Sequence, residues 1–207
     1  MSTLSVDMIE PVGSTLTLGQ SGDTITIPVG GVFTNNGTAS GFTSGNTYAS
    51  QWRLHTDLSC SGAAPGTILS ANWEQPASIE FPGVINSGSP MTVNASTGAW
   101  TFPATGAWSV EFNFPYYNTV HHNTHSYIYG SGNTGGTWVM LATSQTERSA
   151  NWNGTLTITY LFKVADKTTD LVRFSVGTSA GTGTTHLIAD GSVNNTYATF
   201  IKLGDAS

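Results

Sequence analysis

Three imidazoles crowd into the run His121-His-Asn-Thr-His125, where the metal-ligating residue types of this chain are densest. Imidazole nitrogens suit zinc, nickel or iron, so His121, His122 and His125 could serve one ion, and a symmetry axis would multiply them. No cysteine or carboxylate lies within the run, and Tyr116-Tyr-Asn-Thr119 leads into it, so the competing reading is a solvated loop between strands. Spacing alone specifies a site weakly. The chain is expected to hold no metal and no other cofactor.

Nucleophilic and acid–base chemistry have less to stand on. Ser131 lies in Gly130-Ser-Gly132 and Ser44 in Thr43-Ser-Gly45, flexible turns that lack the Gly-X-Ser-X-Gly elbow. Cys60, the one cysteine, cannot form an internal disulfide and reads as a bystander thiol. Glu74, Glu80 and Glu111 supply carboxylates that would have to converge for glycoside hydrolysis. A non-enzymatic protein is the expectation.

The aromatics are more suggestive. Trp73, Tyr116, Tyr117, Trp138 and Trp152 sit beside Asn, Gly and Thr, a combination that stacks on sugar rings while bonding hydroxyls. Trp73, Tyr116 and Tyr117 are the ligand candidates, in loops suited to recognition. The opposing reading places these rings in a core or at a subunit axis, and Trp138, with apolar neighbours, fits it best.

Composition narrows the partners. Charged residues make up 9% of the chain, against roughly 25% in ordinary domains, while aromatics reach 11%. A chain so polar yet so rich in rings can bury a core. The net charge is -6, and the six cations, Arg53, Arg148, Lys163, Lys167, Arg173 and Lys202, are scattered. Nucleic acid is therefore excluded as a partner, because phosphate binding needs clustered cations. Membrane insertion is excluded too, since no apolar run approaches the roughly 20 residues of a spanning helix. The start, Met1-Ser-Thr-Leu-Ser-Val-Asp-Met8, has neither the basic nor the apolar segment of a secretory signal.

The elements that must position these residues are strands. Apolar residues nowhere keep a helical period, and short alternating runs bounded by Gly, Asn and Ser turns recur throughout. They span Gln51 to Asp57, Ile79 to Ile85, Ala99 to Phe102, Trp108 to Phe114, Ser126 to Tyr129, Thr137 to Thr143, Asn153 to Val164, Asp170 to Gly177 and Asn195 to Leu203. In the fourth, Trp108, Val110, Phe112 and Phe114 share one parity and, with Phe102, mark the expected core. The class is all-β, an antiparallel sandwich of jelly-roll type.

Residues 1–45 differ from the rest. Thr15 to Leu18 and Thr24 to Ile27 form two tiny alternating strands around Gly19-Gln-Ser-Gly22, and Thr34 to Gly45 has linker composition. So short a ribbon cannot bury Leu16, Leu18, Ile25 and Ile27 by itself. The expected division is an N-terminal β-arm over 1–45, for trimerisation or attachment, and a jelly roll over 46–207.

Ser96-Thr-Gly-Ala-Trp-Thr-Phe-Pro-Ala-Thr-Gly-Ala-Trp-Ser-Val110 resembles the C1q/TNF-like jelly-roll signature, with its Thr-Gly, aromatic, Pro, second Gly and second aromatic. Asn195-Thr-Tyr-Ala-Thr-Phe-Ile-Lys-Leu-Gly204 is similar to that family's closing strand, and Gln51 to Asp57 sits where its first strand belongs. The likeness covers roughly residues 50 to 204 and implies a homotrimer packed around a threefold axis. Thr15 to Pro28 resembles strand-turn-strand segments in appendage proteins of tailed bacteriophages, including marine and cyanobacterial ones. Together the resemblances imply a virion structural protein assembled in the bacterial host cytoplasm: a capsid decoration, head fibre or knob bound to the major capsid protein or a tail component. The alternative they leave is a tail-fibre tip or adhesin that binds host-surface glycans.

Overall fold

A computed structural model describes residues 48–76, 88–120, 122–148, 152–178 and 183–205. These belong to the second of two compact units, Thr43–Ser207. The arm residues Leu16, Leu18, Ile25 and Ile27 and the expected strand Ile79 to Ile85 lie outside them.

Every regular element among the described residues is a β-strand. In chain order these are β1 (Ala49–Leu54), β2 (Leu58–Ser61), β3 (Thr67–Ile68), β4 (Trp73–Glu74), β5 (Thr92–Val93), β6 (Trp100–Thr101), β7 (Gly106–Asn118), β8 (His122–Ser131), β9 (Val139–Arg148), β10 (Trp152–Val164), β11 (Leu171–Thr178), β12 (Thr184–Leu187) and β13 (Tyr197–Gly204). One sheet runs β2-β12-β7-β13-β1-β4 with β10 on the other side of β7, and the second runs β5-β6-β11-β8-β9 with β3 beside β11. All pairings among these strands are antiparallel, and sequence neighbours repeatedly cross between sheets, as a jelly roll requires.

The alternation of apolar residues dictates the core. Trp108, Val110, Phe112 and Phe114 on β7 are at most 1% exposed, as is Phe102, and they meet Ile128, Val172, Phe174 and Phe200 from the neighbouring strands. Phe112 stacks on Phe174 across the sandwich at 5.0 Å, and Phe102 stacks on Phe162 at 5.1 Å. Such pairs add to the area term that drives collapse.

Strand β7 runs four residues beyond the expected end at Phe114, through Pro115 to Asn118. Pro115 lacks an N–H, yet it costs no ladder bond. Its carbonyl accepts from the Ile188 N–H at 3.0 Å, so its nitrogen faces the same edge, where pairing with β13 has ended at Asn113 and pairing with β12 starts at Tyr116. Proline is tolerated where the ladder is already interrupted. The extension carries Tyr116 into the core under Gly154, where a Cβ would come within 2.6 Å of the tyrosine oxygen.

Candidate functional site

The sandwich is sealed unequally along its two flanks. Trp100 fills one, in edge contact with Trp52 and Trp73 at 5.3 Å each and tilted against Phe200 at 5.0 Å. On the other flank, β9 pairs with β8 alone and β10 with β7 alone among the described strands, so each presents a free edge.

Apolar side chains are left at that second flank. The register of β8 against β9 slips between Ile128 and Tyr129, so that Ile128 faces Ala142 and Tyr129 faces Met140, with Leu141 the extra residue. A bulge of this kind re-aims a side chain. Leu141 turns toward Phe162 across Gly130, where an added Cβ would stand 2.6 Å from its Cδ1. Val139, Leu141, Tyr160 and Phe162 then line an open cavity of about 430 Å³, with Lys163 and Asp170 at its lip. Val139 is 57% exposed, Met140 42% and Leu161, on the outward side of β10, 68%.

The outer face of the β7 sheet is weakly charged. Thr157, Asn113 and Tyr197 form one cross-strand row, Thr159, Glu111 and Thr199 the next, and Leu161, Ser109 and Ile201 a third. Asn113 donates to Thr157 and Gln51 donates to Thr199 at 3.0 Å. Burial and the neighbouring Glu111 carboxylate push the Tyr197 phenol up.

The residues singled out for chemistry are dispersed. His121 is outside the described residues, and His122 opens β8 opposite Arg148. His125 lies within β8 rather than in a solvated loop, half-buried and stacked on Tyr127 at 5.8 Å, and burial holds its imidazole below the ordinary 6.5. Among the described residues no group of three potential ligands gathers around a common point. Glu74 is committed to Arg53, at 2.7 Å, and Glu80 is outside the described residues. Cys60 is fully buried, with its thiol pushed up to about 12 by desolvation. Ser131 donates to Asn133 at 2.8 Å and accepts from the Gly135 N–H, holding the turn before β9.

Of the sugar-stacking candidates, Tyr116 is a core residue and Trp73 is half-buried against the core. Trp73 is wedged between Trp100 and Phe174 with its indole N–H given to the Leu69 carbonyl at 3.0 Å, and Tyr116 is fully buried. Tyr117 is on the surface, 38% exposed, with its ring against His186 at 4.6 Å. Trp138 is neither core nor strand. It precedes β9, half-buried beneath the Arg173 guanidinium, which lies 4.2 Å from the ring centre.

This two-sheet arrangement is similar to solved structures. Eiger TNF from S. frugiperda superposes with a TM-score of 0.57 over 78% of this chain and 96% of its own, at 13% identity. The fold is a TNF-like jelly roll. Murine APRIL follows at a TM-score of 0.52, covering 75% of this chain and 98% of its own at 10% identity. The sequence matches no protein-family model and no curated protein. In this TNF-like jelly roll the open β9–β10 flank, without convergent carboxylates or an activated nucleophile among its described residues, is a surface suited to contact.

Proposed function

We propose that the chain is a non-enzymatic homotrimer in which the β9–β10 flank of each jelly roll packs against a neighbouring copy around a threefold axis. The observation that carries this reading is the apolar opening lined by Val139, Leu141, Tyr160 and Phe162, rimmed by two unpaired strand edges. Covering it removes apolar surface from water and ends two exposed edges that the chain has few lysines to guard. The weakly charged outer face of the β7 sheet is a partner surface that costs little to desolvate.

The role follows from the resemblances of sequence. The trimer is a bacteriophage virion protein, a capsid decoration, head fibre or knob, held through residues 1–45 and projecting the jelly roll from the particle. Low ionisation and the appendage-like segment Thr15 to Pro28 support it.

Sedimentation equilibrium of the full chain tests the assembly. The expected mass is three times 21.7 kDa, and a V139E/L161E variant is expected to run as a folded monomer. A wild-type monomer across the accessible concentration range overturns the trimer. Incubation with expanded phage capsids tests the role, saturable stoichiometric binding being the expected result and no binding to capsids or tails the opposing one.

A further inference from the structure

Arg173 has no counterion among the described residues. It sits on the outer face of the β11 sheet, opposite Tyr129 on β8, and its guanidinium lies between two rings, 4.2 Å from Trp138 and 5.4 Å from Tyr129. Among the described residues no carboxylate pairs with it. Its Nε is buried and has no hydrogen-bond acceptor, and burial draws the group below its ordinary value. Leaving a buried charged donor unmet is costly, and native structures seldom do so without a reason.

A cavity lies beside it. Arg173 and Trp138 wall a cavity of about 450 Å³ together with Ser70, Ser96, Thr97 and Thr134, and Arg173 is the lone charge among the described lining residues. That volume falls in the range of small-molecule sites, roughly 300–1,000 Å³. The lining comes from four separate parts of the chain: the end of β3, the turn before β6, the loop before β9 and Arg173 on β11. The two rings take the faces of the guanidinium and its Nε is buried, so the terminal nitrogens are the edge that can serve in recognition. A planar edge of N–H donors is complementary to a carboxylate, which it can take through two parallel bonds.

We infer that this cavity binds an acidic sugar, with Arg173 receiving its carboxylate, the Ser and Thr hydroxyls meeting its hydroxyls and the Trp138 indole edge packing against its ring. The hydroxyl-lined walls favour a polyhydroxylated ligand over an apolar acid, and the single cation favours one negative charge over a polyphosphate. The site is built within one chain, so it stands apart from the proposed self-association and from the virion role.

Titration of the full-length protein with sodium glucuronate, followed by tryptophan fluorescence and calorimetry, tests the inference, with glucose and sodium acetate as the two comparison ligands. Glucuronate is expected to bind in the millimolar range, with glucose and acetate each weaker by about tenfold or more. R173Q should lose about tenfold to a hundredfold in glucuronate affinity. S96W, an exposed turn substitution that fills the cavity and leaves Arg173 in place, should abolish binding while preserving the fold. Acetate binding as well as glucuronate would reduce the site to a bare oxyanion contact and overturn the acidic-sugar assignment. Unchanged affinity in both variants, or no glucuronate binding by the wild type, would overturn the site itself.

Discussion

The two flanks of the sandwich are built from the same kinds of residue and end differently. At the β1–β4 side three indoles, Trp52, Trp73 and Trp100, close the gap between sheets with edge-to-face contacts, and Trp100 is wholly removed from water. At the β9–β10 side Leu141 and Tyr160 remain half-buried around a cavity, and Val139 and Leu161 face outward. A chain that closes one flank with three indoles has left Tyr160 and Phe162 on the other beside an open cavity. In the proposed assembly, one flank is intramolecular core and the other is the surface that a neighbouring copy covers.

Trp100→Ala presses hardest on that contrast. Removing the indole from the sealed flank should cost about 3–5 kcal/mol, because the surrounding rings cannot collapse into the space. Urea denaturation measures it, and a loss below about 1 kcal/mol would mean that the sealed flank is not the rigid one. Leu141→Ala on the open flank should cost the protomer only about 1–2 kcal/mol, since the side chain already borders a cavity. Its larger consequence should be weaker self-association, read as a concentration-dependent mass in sedimentation.

Cys60 sharpens the contrast chemically. Its thiol is held near 12 and fully buried behind β12, so at pH 8 it should resist aromatic disulfide reagents in native protein and react fully once denatured. Fast native labelling would show that this part of the sandwich opens. The smallest effect concerns His125. Burial lowers its folded value below 6.5, so the neutral ring contributes stability above that pH, and the contribution is lost as the pH falls through 6.5 toward the lower folded value. His125→Gln should flatten the acid limb of a stability-versus-pH curve, and an unaltered limb would assign it to other groups.

Much of the sandwich was legible because alternation survives in long strands. The patterns of Trp108 to Phe114 and Thr155 to Val164 place the right faces inward, since each has one apolar parity and one hydroxyl-rich parity. What escaped had a physical cause. Strands β3 to β5 have two residues each, too short for any period to show. The expected strand stopped at Phe114, before Pro115 and Tyr116, and the switch of partners from β13 to β12 explains why the proline is tolerated within β7. Trp138 and Arg173 are far apart in sequence and meet through β11 and the loop before β9. A single arginine within the otherwise uncharged strand Leu171–Thr178 was the one available signal.

Hydrogen exchange along β9 and β10 as a function of protein concentration tests most directly whether the open flank is covered by another copy. Amides of β9 and β10 that no described strand pairs should become protected as concentration rises, while those around Trp100 stay protected at every concentration. Fast, concentration-independent exchange along both free edges would contradict the assembly and leave the flank as plain solvent-facing surface.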